Sequence, residues 1–156
     1  MKIYIGSDHA GLTHKQEIVK SLNNMGLEVI DCGATEFNEN DDYPDFCSKV
    51  AREVSQNPAN SKGIVLGGSG QGEAMVCNRF HKVRAAVYYG TKDTIPGDHN
   101  ILELSRDHND ANILSIGARF VTVEDAVDAV STWLNTPFSE EERHKRRITK
   151  IDRVHE

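Results

Sequence analysis

The feature that most restricts this chain is an alternation. Five short runs suited to β-strands, "KIYIGSD" (2–8), "LEVIDCG" (27–33), "GIVLGG" (63–68), "VRAAVYY" (83–89) and "ANILSIG" (111–117), are each followed by a stretch with helical spacing. In 12–26, Ile18, Leu22 and Met25 fall on one face and Gly26 marks the stop. In 43–56, Phe46, Val50 and Val54 recur every four residues. Further helical patterns start at Glu73 and near Asn100, and Thr122 stands as an N-cap ahead of Glu124 and Asp125. Ser139 and Glu142 have capping-box spacing at the start of a last helix running to His155. Strands alternating with helices close into a parallel sheet covered on both sides, with right-handed crossovers. The expected fold is a three-layer α/β sandwich: a five-stranded parallel sheet with helices on both faces and a C-terminal helix, as one domain over 1–156.

Composition removes several function classes. A net charge of −6 does not suit a protein that coats nucleic acid or an anionic membrane. No apolar run reaches transmembrane length, and Met1 leads directly into a strand-type run rather than a leader peptide. Three cysteines, Cys32, Cys47 and Cys77, are an odd number without metal-type spacing. That pattern fits packing residues in a reducing cytoplasm.

In such a sheet, ligands collect beyond the carboxyl ends of the strands. The loops to inspect are 6–11, 33–44, 67–73, 88–100 and 117–120. The third, "GGSGQGE", holds four glycines and a serine ahead of Glu73. Glycine lets backbone N–H groups converge on an anion without Cβ obstruction, and a helix start adds more free N–H groups. No Gly-Lys-Ser/Thr closes the loop as a Walker A motif would, and its spacing is not that of the dinucleotide fingerprint. Gln71 stands where a nucleophile elbow needs glycine, which counts against a serine hydrolase built on Ser69. A carboxylate held ionised at a helix start, beside oriented N–H donors, can take a proton next to a carbonyl while the donors hold the enediolate oxygen. A tight strand-to-helix turn and a favourable helix-start glutamate are the plain structural alternatives.

Five segments in series carry a resemblance over nearly the whole chain: "SDHAG" (7–11), "DYPDF" (42–46), "GGSGQGEA" (67–74), "LSRDHNDANILSIGAR" (104–119) and "ERHKRRI" (142–148). Together they resemble the type B ribose-5-phosphate isomerases and the related galactose-6-phosphate isomerases. The resemblance implies a Rossmann-like fold and an aldose–ketose isomerase working through a cis-enediol, without metal or cofactor. It implies a homodimer or dimer of dimers with sites between subunits. Its partner is a small sugar phosphate, ribose 5-phosphate first, with allose 6-phosphate and galactose 6-phosphate as alternatives. It implies Glu73 as the base, Ser69 on the substrate hydroxyls, and the amides of Gly68, Gly70 and Gly72 around the enediolate. His108, helped by Asp8, would open the sugar ring; Asn109 and Tyr43 would touch hydroxyls. His9, Arg119, Arg143 and Arg147 would hold the substrate, several of them at its phosphate.

Two departures from the family pattern matter. Many members carry a cysteine base at the position of Gly67; this chain follows the group that uses glutamate at position 73 instead. Cys77 does not match that cysteine and reads as core. The stretch 88–100 is longer than the pattern and brings Lys92, Asp93 and His99, which leaves the identity of the sugar open. Six of the 18 Lys and Arg fall between Arg143 and Arg153, a local reversal of sign. Arg143 and Arg147 share a helix face, as a phosphate clamp needs, though a solvated face would look the same. His144 adjoins them without a case of its own. The rival functions are a phosphate-binding module without chemistry and a silent subunit of a paired isomerase. The first leaves Glu73, His108 and "DHNDAN" unexplained, and the second conflicts with a full set of catalytic positions.

Overall fold

Apolar side chains point alternately to the two sides of the central strands, and that alternation builds two cores. The computed structural model describes residues 1–90 and 100–154. Ile3, Ile5, Ile64, Leu66, Leu114 and Ile116 face one side, where they meet Ile18 and Leu22, Leu102, and a fully buried Trp133. Their in-between neighbours Val65 and Ile113 face the other, against Cys47, Val50, Val54 and Cys77. The strands are β1 (Lys2–Ser7), β2 (Glu28–Asp31), β3 (Ser61–Gly67), β4 (Ala85–Tyr88) and β5 (Ile113–Gly117). They pair in parallel in the order β2-β1-β3-β5-β4. Helices α1 (Leu12–Asn24), α4 (Ile101–Asp107) and α5 (Val123–Asn135) cover the first face. Helices α2 (Tyr43–Gln56) and α3 (Gln71–Cys77) cover the second, and α6 (Glu142–Asp152) follows α5. The expected α/β layering is thus what forms.

Three terminal details differ from the sequence reading. Met25 is not on the buried face: α1 stops at Asn24, Gly26 adopts a left-handed φ of 75°, and Met25 is 53 % exposed. Ser139 does not cap α6. Its hydroxyl donates to the Asp107 carbonyl at 2.7 Å, and Glu140 turns the chain through a φ of 57° before a helix whose N-cap is Glu141. That helix ends at Asp152 rather than His155. Thr122 behaves as expected and forms a reciprocal capping box with Asp125.

The topology fixes where a ligand can sit. The register sets Ser7 opposite Leu66 and Gly67 opposite Gly117, so β1, β3 and β5 end at one level. From β1 the chain moves outward to β2, then returns to β3 on the opposite side of β1. The connections leaving β1 and β3 therefore part, and a crevice opens above those two strands.

Candidate active site

That crevice is a cleft of about 460 Å³ lined by Asp8, His9, Tyr43, Gly68, Ser69, Gly72, Glu73, Arg119 and Phe120. Its floor is the turn from β3 into α3. The loop carbonyls are taken from the β5 side: Gly67 O accepts from Ala118 N (2.8 Å), Gly68 O from Arg119 N (3.2 Å) and Gly70 O from Ser115 Oγ (2.6 Å). In a trans peptide the following N–H points opposite to its carbonyl. The amides of Gly68 and Ser69 are accordingly turned away from β5. Gly70 makes the bend with a φ of 75°, a conformation that favours glycine. A Cβ at Gly68 would come within 3.2 Å of the Arg119 guanidinium. A Cβ at Gly72 would strike the Tyr43 hydroxyl. Two of the loop's glycines are thus the spaces into which Arg119 and Tyr43 reach.

Glu73 is 3 % exposed. The backbone amides of Glu73 and Gly70 favour its charged form, while Oε2 is buried with no hydrogen-bond partner. Burial pushes its carboxyl up and the nearby Asp8 adds to this; the two amides oppose the shift without cancelling it. The sequence has the helix start favouring the ionised form of Glu73; in the structure desolvation outweighs the amides and raises its pKa. A carboxylate of raised basicity with one free oxygen is suited to proton abstraction. A Cβ at Gly67 would collide with this carboxylate. The Glu73 side chain therefore fills the space that a residue at position 67 would use.

Asp8 is buried and caps the 3-10 turn His9–Gly11, accepting from Ala10 N at 3.0 Å. His9 leans on Asp41: both its backbone N (3.1 Å) and its ring Nδ1 (2.6 Å) approach Asp41 Oδ1. The donor atoms of Asp8, His9 and Asp41 lie within 4.8 Å of one another, the one grouping among the described residues that could hold a cation. Two of its three members already bond to each other.

The remaining expected residues lie elsewhere in the same chain. His108 caps the end of α4, ahead of β5, and so belongs to the opposite edge of the sheet from the glycine loop. The length of β5 separates the two edges, roughly 16 Å for five residues. There the His108 ring stacks on His144, with centroids 4.4 Å apart and planes 14° apart, and its Nε2 lies 3.2 Å from Asp107 Oδ2. Asn109 is next in the chain, with its carbonyl accepting from Arg84 Nε at 3.0 Å. Arg143 and Arg147 are exposed on α6, and Arg143 Nε donates to Glu141 Oε2 at 2.7 Å. One chain thus brings together Asp8, His9, Tyr43, Gly68, Ser69, Gly70, Gly72, Glu73 and Arg119, and keeps His108, Asn109, Arg143 and Arg147 apart from them. Lys92, Asp93 and His99 lie outside the described residues.

Cys77 is core, as expected; burial and the neighbouring Glu73 push its thiol up to about 12. Sequence reasoning missed Asp41, which no local pattern ties to His9, 32 residues away. It also missed the burial of His144, 2 % exposed beneath His108. A histidine inside the arginine stripe of α6 was the only signal.

The Ribose/Galactose Isomerase family model matches residues 3–151. Ribose-5-phosphate isomerase B of Mycobacterium tuberculosis strain H37Rv is 40% identical over all of this chain and 93% of its own length. The Escherichia coli K12 protein of the same name is 37% identical over 98% of this chain and 95% of its own. The crystal structure of ribose-5-phosphate isomerase B from Mycoplasma genitalium, with bound ribulose-5-phosphate, superposes with a TM-score of 0.90 at 38% identity, covering 99% of this chain and 95% of that one.

Proposed function

The chain belongs to the ribose/galactose isomerase family, and we propose that it interconverts ribose 5-phosphate and ribulose 5-phosphate with Glu73 as the base. One observation carries the reading: a buried carboxylate of raised pKa, its Oε2 without a hydrogen-bond partner, stands in a cleft lined by the glycine loop. In this mechanism Glu73 takes the proton from C2 of the open-chain aldose and returns it to C1, while the hydroxyl proton of O2 passes to O1, so the carbonyl moves from C1 to C2. The loop amides of 68–72 and the Ser69 hydroxyl carry the charge that builds on oxygen between those steps. One such donor is typically worth about 3 kcal/mol. His9 and Arg119, with Arg143 and Arg147, hold the substrate and its phosphate. Tyr43 and Asn109 meet hydroxyls. His108, with Asp8, passes the proton that opens the ring.

The last role requires a second copy of the chain. His108, Asn109, Arg143 and Arg147 stand at the sheet edge opposite Glu73, and two copies facing one another about a two-fold axis bring one set to the other. This supports a homodimer, or a dimer of dimers, with each site shared. Three free cysteines suit the cytoplasm, and among the described residues no helix is long and apolar enough to cross a membrane.

The test is a side-by-side assay of ribose 5-phosphate, allose 6-phosphate and galactose 6-phosphate in the presence of a chelator. The expected outcome is the highest kcat/KM for ribose 5-phosphate. A six-carbon sugar turning over best would move the assignment to that sugar and direct attention to 91–99. Binding of all three without turnover would leave a phosphate-binding module.

A further inference from the structure

We propose that Asp41 is a positioning residue that fixes the ring of His9 and commits its Nε2 to the phosphate of the substrate. The proposal rests on the reading of His9 as a phosphate ligand. A carboxylate oxygen can only accept, and Asp41 Oδ1 lies 2.6 Å from His9 Nδ1. The ring proton is therefore on Nδ1. The same oxygen also takes the His9 backbone N–H at 3.1 Å, so one atom pins both the main chain and the ring. The two bonds fix χ1 and χ2 together, a constraint that neither gives alone.

The surroundings strengthen the arrangement. Asp41 has a side chain 10% exposed, and its Oδ2 is buried with no hydrogen-bond partner. Its need for donors thus falls on His9 alone. Phe37 meets the imidazole edge-on at 5.6 Å and 78°, which walls the ring on another side. His9 lines the cleft, and its remaining polar atom is Nε2. With Nδ1 held by Asp41, Nε2 donates to a phosphate oxygen only when the ring carries its second proton. Asp41 then supplies the countercharge that the imidazolium needs in a half-buried place. The segment 33–42, which has no helix or strand of its own, thereby acquires a function: it delivers one carboxylate to the back of a ligand.

Two variants separate this role from a structural one. Asp41→Ala removes the acceptor; Asp41→Asn keeps an acceptor and removes the charge. In the free protein, long-range nitrogen–proton NMR of the imidazoles should show His9 protonated at Nδ1 in the wild type and in Asp41→Asn. It should show that proton moved to Nε2, or averaged over both, in Asp41→Ala. In kinetics, Asp41→Ala should raise KM for ribose 5-phosphate, and the inhibition constant of inorganic phosphate, by roughly tenfold, as for the loss of one charge-assisted hydrogen bond. Its kcat should stay within about twofold, since the group acts on binding. Asp41→Asn should recover part of the loss. An unchanged tautomer in Asp41→Ala, or a fall in kcat with KM and phosphate inhibition unaltered, would overturn the proposal. His9→Ala tells the two readings apart. If it leaves phosphate inhibition unchanged, the phosphate role of His9 fails, and with it the commitment of Nε2.

Discussion

A side chain at position 67 and the carboxylate of Glu73 exclude one another, since a Cβ at Gly67 would fall within the carboxylate. With Glu73 as the proposed base, the choice between a residue at 67 and one at 73 is thus steric as well as chemical. Gly67→Cys alone should displace Glu73 and lower turnover, and Glu73→Ala alone should remove the base. The double variant Gly67→Cys/Glu73→Ala gives a thiol the vacated space, so its turnover should exceed that of both single variants. Sites in contact are expected to be non-additive in this way. A double variant no better than the worse single would mean that the two positions do not share one function. The electrostatics of Glu73 give a second expectation. Burial first, and Asp8 next, keep its carboxyl protonated to higher pH than an ordinary glutamate, near 4.3. In the proposed mechanism the ionised form is the base, so kcat/KM should fall as pH drops through a value above that figure. Asp8→Asn removes one raising charge and should shift this acid limb to lower pH, besides reducing the rate. The phosphate of the substrate, with a pKa near 6, titrates alike with either protein, so the displacement between the two profiles belongs to the enzyme. Coincident limbs would dismiss the coupling of Asp8 to Glu73.

At the scale of elements, α6 and the segment leading into it meet the end of α4: the Ser139 backbone N–H and hydroxyl both donate to the Asp107 carbonyl, and His144 of α6 lies beneath His108. His144 is buried; its Nε2 makes no hydrogen bond and lies 3.9 Å from Glu141 Oε2, so its worth to the fold is chiefly its ring. His144→Ala should cost about 2 kcal/mol or more in unfolding free energy, as other large-to-small core changes do. His144→Phe keeps the ring, removes an unsatisfied nitrogen, and should match or exceed the wild type. Denaturant unfolding checks the order, and an alanine variant as stable as the wild type would deny the stack a structural role. The same helix shows what was legible beforehand. Its face of Arg143 and Arg147 is a local pattern and could be read. Its start could not, because the Ser139 hydroxyl goes to a carbonyl 32 residues earlier rather than to its own helix. The strand–helix alternation was legible for a like reason: the period of apolar residues is a local property that burial on both faces of a sheet enforces. Asp41 behind His9, the buried His144 and the desolvation of Glu73 are all products of packing between distant segments, and no spacing in the sequence encodes them.

For the whole molecule, the decisive fact is that a parallel sheet puts the residues leading into its strands at one edge and those leaving them at the other. Glu73 comes after β3 at the carboxyl edge, while His108 precedes β5 at the amino edge, and no rotation of side chains bridges a strand. If the active unit is a two-fold dimer with shared sites, each site takes Glu73 from one copy and His108 from the other. Glu73→Gln and His108→Asn would then each be inactive alone, for they damage every site. Unfolded together and refolded as a mixture, they should regain activity. Half the dimers would be hybrids, and in each hybrid one site carries both defects while the other carries none. The recovered activity should approach about a quarter of the wild-type value per chain. Refolding each variant separately and then mixing should give less, and only as fast as subunits exchange. A site built within one chain predicts no recovery under either protocol, because every site then retains its own defect. The experiment therefore distinguishes a shared site from a single-chain one without needing a structure of the complex.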